Sequence, residues 1–169
     1  MGWEQTAIGD KSYRQDTTMG CPFACISTVK YWIQKMERTE AELREKLTSE
    51  GIEWGKKEEA MTAGLNLDIA RKLIKGVGLD YLELPDGISA DEFQKKMREA
   101  HPNVPLILGV AWSTGEKHLV VCAGKSSDGK VWIFDPGAGL GEHPVGTTYE
   151  SSGYKGTFDL KGIEVLCSS

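Results

Sequence analysis

A cysteine, a histidine, an aspartate and a glutamine of this sequence are of the types that cooperate in nucleophilic chemistry. Cys21 directly precedes a helical pattern, and a thiol at a helix N-terminus ionises more easily because free N–H groups and the helix dipole stabilise the thiolate. His118 could take the thiol proton and later give it to a leaving group. Asp135 could fix the tautomer of that imidazole. Gln15, six residues before Cys21, could bind an oxyanion together with the Cys21 backbone N–H.

Each of these residues also has an ordinary structural interpretation. A lone cysteine is usually a small core residue, and Cys25, one helical turn after Cys21, is predicted to be a buried and inert thiol of this kind. A histidine at a strand start is more often a surface residue, and Asp-Pro is common in turns. The functional prediction therefore rests on four signals in one order, each at the structural place that its role requires.

Helical patterns fill the part of the chain before residue 103. Apolar periodicity and capping signals predict four helices: 23–36, a short helix from the Thr39/Glu42 capping box to Leu47, 65–75 with Gly76 as its stop, and a helix opened by Ser89 and Glu92 with Phe93 and Met97 on one face.

Short apolar or alternating runs follow, at 104–112, 118–123, 130–134 and 162–167, with turn residues at 113–115 and 126–129. Helices first and an antiparallel sheet afterwards predict a single α+β domain over residues 1–169, helical at about 13–100 and sheet at about 103–167. A nucleophile at a helix start and a base at a strand start then meet where the two layers face each other. Asp135 ends the strand after the one that His118 begins, so the two lie side by side if those strands pair.

Composition excludes several classes of protein. The formal net charge is −5, which argues against a nucleic-acid partner because such proteins carry a basic face. No apolar run approaches the roughly 20 residues that cross a bilayer, and no segment reads as a secretion signal. Four cysteines without a CxxC pattern favour a reducing compartment. We therefore expect no membrane span, no cofactor and no metal, and a location in the cytoplasm or delivery into a target cell's cytoplasm.

Three weaker motifs are set aside. The run 124–126 (GKS) lacks the earlier glycine and the following helix of a phosphate-binding loop, and 137–141 (GAGLG) lacks the third glycine and the helix of a dinucleotide fingerprint. The second run is predicted to be a flexible loop beside the site. A zinc site built on Cys21, Cys25 and a histidine has no known zinc-ligand spacing.

The segment 15–26 (QDTTMGCPFACI) resembles the Gln-to-Cys motif of papain-like cysteine peptidases. The run 118–121 (HLVV), followed by 134–136 (FDP), resembles specifically the C39 branch of that clan, whose members include bacteriocin-processing peptidases that cleave after double glycine. The resemblance spans about residues 13–166. It departs from the transporter-linked C39 peptidases at Gly20 and Pro22, where those proteins usually carry Asp and Gly, and this favours a stand-alone or effector-type peptidase.

The resemblance implies a papain-like fold and a cysteine endopeptidase that acts on a protein or peptide substrate. It further implies cleavage after small residues such as Gly-Gly, in a narrow cleft with Gly20 on one wall and Trp112 on the other, although Trp112 could equally be an ordinary core aromatic. A toxin or effector domain with a cognate inhibitor protein would fit the size of the chain. The same catalytic set also occurs in deamidases, transglutaminase-like enzymes and peptidoglycan amidases. An inactive binding module is the remaining alternative.

Overall fold

The computed structural model describes residues 21–34, 45, 65–115, 117–151 and 153–167, without the side chains of 21–24, 27, 65 and 66. The helices are α1 (Cys21–Gln34), α2 (Leu65–Gly76) and α3 (Ala90–Glu99). The strands are β1 (Leu79–Glu83), β2 (Leu106–Trp112), β3 (Lys117–Ser127), β4 (Lys130–Asp135), β5 (Gly139–Pro144), β6 (Thr148–Ser151) and β7 (Tyr154–Cys167). None of the helices in these ranges is long and apolar enough to cross a membrane.

The local signal for α3 acts as the sequence indicates, whereas α2 includes Gly76, its predicted stop, and the left-handed glycine after the helix is Gly78, at φ +82°. The Ser89 side chain accepts a hydrogen bond from the Glu92 backbone N–H at 3.1 Å, which caps the first turn of α3. Phe93 and Met97 of α3 are fully buried, since residues four apart share one helix face. The predicted helix between residues 39 and 47 lies outside the described residues, apart from residue 45.

All the strands pair antiparallel, in the order β1-β7-β2-β3-β4-β5, and β6 adds to the first half of β7. The mixed α/β class with an antiparallel sheet is confirmed. Two local expectations are wrong. Strand β1 interrupts the part predicted to be helical, and the predicted flexible loop at 137–141 leads into β5, which pairs with β4 from Asp135↔Gly139 to Lys130↔Pro144. The glycines of β5 have no side chains to show the alternation that marks a strand.

Each face of the sheet packs on its own helices, because successive residues of a strand point to opposite sides. Leu119 and Val121 of β3 pack with α1 and α2 in one core cluster. Val120 and Cys122 pack with α3 in a second cluster. His118 falls in the same alternation as Val120, on the α3 side of the sheet.

The sheet curls over its α3 side until its two ends meet. Four strand spacings separate β6 from β4, roughly 19 Å in a flat sheet at about 4.8 Å per strand. Nevertheless, the Tyr149 hydroxyl on β6 lies 2.8 Å from the Asp135 carboxylate on β4. The Tyr149 ring also lies 4.9 Å, between centroids, from the ring of His143 on β5. The curl therefore gives the sheet an inner side, filled by α3 and aromatic rings, and a rim where β3 begins and β4 ends.

Candidate active site

His118 and Asp135 form a hydrogen-bonded pair at this rim. The pairing of Val121 with Phe134 makes Val120 and Asp135 the next residues to face each other. His118 lies two residues farther along, on the same face, so its ring reaches the carboxylate diagonally across the two strands. The imidazole Nε2 lies 2.8 Å from Asp135 Oδ1. Because Nε2 is engaged in this way, Nδ1 is the ring nitrogen that could serve a nucleophile.

The Asp135 carboxylate is almost fully buried, and both of its oxygens accept hydrogen bonds. Besides His118, Oδ1 accepts from the Gly137 backbone N–H at 2.8 Å, and Oδ2 accepts from the Tyr149 hydroxyl at 2.8 Å. Burial is the largest single influence and by itself would raise the pKa of Asp135. The hydrogen bond and charge of His118, with the donors Tyr149 and Gly137, outweigh it and lower the pKa below its ordinary value. Asp135 is therefore an ionised acceptor that can stabilise a positively charged imidazole.

Trp112 covers one side of the His118 ring. The two rings are stacked, with centroids 5.4 Å apart and planes 29° from parallel. Val110 pairs with His118 across the β2–β3 hairpin, so Trp112, two residues farther along, is its diagonal neighbour on the same face. A Cβ added to Gly156 of β7 would lie 2.8 Å from the indole, so the absence of a side chain there leaves room for the Trp112 ring. The half-buried indole limits the orientations open to the imidazole.

Behind the pair, the buried Tyr149 and the half-buried His143 form a second layer. Burial, and then the charge of Asp135, raise the pKa of Tyr149 far above its ordinary value, so its hydroxyl keeps its proton and remains a donor. Burial lowers the pKa of His143, while Asp135 acts in the opposite direction. His143 is thus held neutral near pH 7, and it does not compete with His118 for the negative charge of Asp135.

The first turn of α1 lies near the same rim. The helix begins at Cys21, and Cys25, one turn later, is fully buried with its Sγ 3.7 Å from the backbone carbonyl oxygen of Leu119. Leu119 is the neighbour of His118 in β3, so the beginning of α1 lies near the end of the strand that carries His118. The predicted burial of Cys25 is confirmed. The Cys21 side chain, Gln15 and Gly20 lie outside what the structure describes.

Cys122 is an unreactive thiol, in contrast to the activated thiol of a nucleophile. It is fully buried on the α3 side of the sheet, and its Sγ contacts the Met97 backbone oxygen at 3.4 Å. Burial raises the pKa of Cys122 to about 12. Because the thiolate is the reactive form, Cys122 is an inert core residue.

Two hydrogen bonds to Asp135, from Gly137 and Tyr149, were not predicted from the sequence. The Gly137 contact has a local signal, because an aspartate side chain often accepts from the backbone N–H two residues on, and the intervening Pro136 has no N–H to offer. The Tyr149 contact has no local signal. It depends on β6 adding to β7 and on the curl of the whole sheet, neither of which follows from the residues next to Tyr149.

Comparison with known proteins assigns the chain to a family. A family model described as "Papain-like cysteine protease AvrRpt2" matches residues 5–149. The chain belongs to this family of papain-like cysteine proteases. The matched range includes Cys21, His118 and Asp135, and the expectation of a papain-like cysteine peptidase is confirmed.

Three solved structures of other proteins are similar to the chain. The peptidase domain of Streptococcus ComA, a bi-functional ABC transporter involved in a quorum-sensing pathway, has a TM-score of 0.62 at 16% identity, covering 94% of this chain and 98% of that one. A double-glycine-motif protease from an AMS/PCAT transporter, solved with a leader peptide, has a TM-score of 0.47 at 15% identity, covering 88% and 89%. The Pseudomonas avirulence protein AvrPphB has a TM-score of 0.38 at 10% identity, covering 82% of each chain. At these identities the ComA domain shows the fold alone. No curated protein sequence matches the chain.

Proposed function

We propose that this cysteine peptidase hydrolyses peptide bonds in a protein substrate with Cys21 as nucleophile, His118 as general base and acid, and Asp135 as the residue that orients His118. The observation that carries the proposal is the hydrogen bond of 2.8 Å between His118 Nε2 and Asp135 Oδ1. Its support is the ionised carboxylate, the Trp112 ring that restricts the imidazole, and the start of α1 at Cys21 beside the same end of β3.

The reaction follows from these roles. His118 Nδ1 takes the thiol proton, and the Cys21 thiolate attacks the carbonyl carbon of the scissile bond. The imidazolium then protonates the leaving amine as the C–N bond breaks, which leaves an acyl-enzyme. Water attacks the acyl carbon, His118 takes the water proton, and the proton passes to the sulfur as the C–S bond breaks. Asp135 keeps its negative charge throughout and stabilises each imidazolium that forms.

Helix α1 and the His118 side chain belong to opposite faces of the sheet, and this sets a requirement on the mechanism. The Cys21 thiol must reach Nδ1 around the end of β3, at the rim of the curled sheet. A bifunctional reagent tests this requirement. Dichloroacetone, which spans a few ångströms, should join the Cys21 sulfur to His118, and peptide mapping should find the linked pair. A link from Cys21 to His101 or His143 instead would place the nucleophile away from the proposed base.

The proposed oxyanion donors are the Gln15 amide and the Cys21 backbone N–H. The support is the position of the helix start, where backbone N–H groups are free of intrahelical partners. Replacing Gln15 by Ala should lower kcat by about 10²–10³, as loss of one such donor does elsewhere. Gln15→Glu is the matched variant, because it keeps the length and places a negative charge where the oxyanion forms. Normal turnover in both variants would remove Gln15 from the site.

Cleavage after small residues, with Gly-Gly preferred, is the proposed specificity. It rests on the resemblance to C39 peptidases, with Gly20 and Trp112 as opposite walls of a narrow cleft. Peptides with Gly-Gly, Gly-Ala, Ala-Ala and Leu-Arg before the cut should rank in that order of kcat/KM. A tenfold preference corresponds to about 1.4 kcal/mol of transition-state discrimination. Faster cleavage of the Leu-Arg peptide would indicate an open cleft and would remove the Gly-Gly specificity.

A proteome-wide profile of new N-termini tests the function as a whole. Cleaved sites should appear with the natural chain and be absent with Cys21→Ala and His118→Ala. Mass spectrometry of the substrate should then give two fragments that together equal the substrate plus one water. A single product of unchanged length, in which a side-chain amide has become a carboxyl group, would indicate a deamidase instead.

We also propose that the peptidase acts as a toxin or effector inside a target cell, guarded in the producing cell by a cognate inhibitor protein. The support is the membership of the AvrRpt2 family of papain-like proteases. Expression of the natural chain inside a susceptible cell should slow its growth, and the Cys21→Ala chain should not. Equal growth with the two chains across bacterial and eukaryotic hosts would count against this role.

A further inference from the structure

Tyr149 contacts the candidate catalytic pair without being part of it. Its side chain is almost fully buried on the inner side of the curled sheet. Its ring packs against Trp112, His143 and Phe158, with centroids 4.9–5.8 Å apart. Its hydroxyl donates a hydrogen bond of 2.8 Å to Asp135 Oδ2, the oxygen that does not face His118.

We propose that Tyr149 is a positioning residue for the peptidase reaction, which holds the Asp135 carboxylate so that Oδ1 faces His118 Nε2. The inference rests on the proposed catalytic roles of His118 and Asp135. Tyr149 acts through Asp135, because its hydroxyl bonds the carboxylate and its ring is almost fully buried.

The geometry supplies the reason. A carboxylate can turn about its Cβ–Cγ bond unless both of its oxygens are fixed. Gly137 N–H fixes Oδ1 from the turn after β4, and the Tyr149 hydroxyl fixes Oδ2 from the far side of the curled sheet. The two donors belong to separate parts of the fold, so together they determine the plane of the carboxylate. Without Tyr149, Oδ2 would be a buried charged oxygen with no other donor among the described residues. The carboxylate could relieve this costly state by turning away from His118.

The Tyr149 hydroxyl also affects the protonation state of Asp135. Burial favours the neutral acid, and hydrogen bonds to the charged form oppose burial. The titratable groups that face Tyr149 are Asp135 of β4 and His143 of β5, with His118 of β3 just beyond Asp135 and Cys25 of α1 acting weakly. Loss of the hydroxyl removes a donor to the carboxylate, so the pKa of Asp135 should rise. The acid side of the pH–rate profile should then move to higher pH, because a protonated Asp135 cannot stabilise the imidazolium.

Tyr149→Phe is the test variant, because it removes the hydroxyl and keeps the buried ring. Tyr154→Phe is the matched control: the Tyr154 ring also contacts Trp112, at 5.6 Å between centroids, but 53% of the residue is exposed. The measurement is kcat and KM on a peptide substrate from about pH 2.5, below the ordinary aspartate pKa, to about pH 9, corrected by titration of the reactive thiol.

We expect Tyr149→Phe to lower kcat about tenfold, to change KM little, and to move the acid limb upward by about one pH unit. Tyr154→Phe should retain the natural profile. A residue that only packs would lower the rate equally at every pH. A Tyr149→Phe profile that coincides with the natural one, or that is lowered uniformly, overturns the inference.

A second readout needs no activity. In a Cys21→Ala background, the carboxyl carbons of ¹³C-labelled aspartates are titrated by NMR, and Asp135 is assigned by its loss in Asp135→Asn. Tyr149→Phe should make the Asp135 carboxyl titrate at higher pH, and an unchanged titration overturns the inference. Activity that survives Cys21→Ala would overturn the proposed function and the positioning role with it. An unshifted Tyr149→Phe profile beside an inert Cys21→Ala protein overturns the positioning role alone.

Discussion

Replacement of Asp135 by Asn should be far less harmful than replacement by Ala, and the hydrogen bonds around the carboxylate show why. An Asn amide oxygen in place of Oδ1 can accept from both Gly137 N–H and His118 Nε2–H. The amide nitrogen then stands in place of Oδ2, where it can donate to the Tyr149 oxygen if that hydroxyl rotates from donor to acceptor. All three partners of the site remain satisfied, and only the negative charge is lost.

The magnitude follows from that difference. A hydrogen bond to a charged group contributes about 1.5–3 kcal/mol and a neutral one about 0.5–1.5 kcal/mol. Asn should therefore lose about 1–2 kcal/mol of stabilisation of the imidazolium, or roughly 5- to 30-fold in kcat. Ala removes the acceptor that Gly137 N–H, His118 Nε2 and the buried Tyr149 hydroxyl share. Removal of one partner from a buried, paired charge costs about 3–5 kcal/mol, so both kcat and the free energy of unfolding should fall far more.

The assay compares kcat on a peptide substrate with urea unfolding for the natural chain, Asp135→Asn and Asp135→Ala. Active-site titration separates slow enzyme from unfolded enzyme. If Asn proves as damaging as Ala to both turnover and stability, the rotation of the Tyr149 hydroxyl does not occur and the reasoning fails. If Ala retains full turnover, Asp135 does not orient the base.

Three further predictions follow from burial and backbone geometry. Iodoacetamide at neutral pH should modify Cys21 first, and peptide mapping should find buried Cys25 and Cys122 unmodified while the protein stays folded; early labelling of Cys25 would contradict the assignment. Gly124→Ala should lower the melting temperature strongly, because Gly124 has φ +99° and a Cβ there would lie 1.9 Å from the backbone oxygen of residue 100. An unchanged melting curve would show that the backbone after α3 can move away at little cost. The folded-state pKa of Asp135 is lowered, so its ionised form stabilises the fold above the ordinary aspartate value of about 3.9, and this contribution is lost as pH falls through the lowered value. Urea unfolding should thus show that the difference in stability between the natural chain and Asp135→Asn shrinks below about pH 4. A difference that grows there would contradict a lowered pKa of Asp135 in the folded state.

Much of the helical and strand framework could be predicted because its signals are local. The Ser89–Glu92 capping box and the spacing of Phe93 and Met97 define α3 within a few residues. The placement of His118 near the start of one strand and of Asp135 at the end of the next brings them together because neighbouring strands in a chain usually pair. The two strands are close in sequence, and the turn residues between them indicate that they form a hairpin.

What could not be predicted depends on contacts between distant parts of the chain. The glycine-rich strand β5 has no alternation of polar and apolar side chains, and it is a strand because its backbone pairs with the edge of β4. Strand β1 is likewise defined by its pairing with β7, whose paired residues lie 80 to 88 positions later in the chain. Tyr149 reaches Asp135 only because β6 joins β7 and the sheet curls. No window of sequence around Tyr149 contains that information.

The contact between Tyr149 and Asp135 ties the closure of the sheet to the chemistry of the site. The same hydrogen bond joins the two ends of the curled sheet and fixes the carboxylate that faces His118. A change at either residue should therefore act on both the free energy of unfolding and the turnover. A change of Cys21, the proposed nucleophile, should by contrast abolish turnover and leave the closure intact. The difference between these two classes of variant follows from where each residue lies: Asp135 and Tyr149 are part of the core, whereas α1 begins at Cys21 near the rim of the curled sheet.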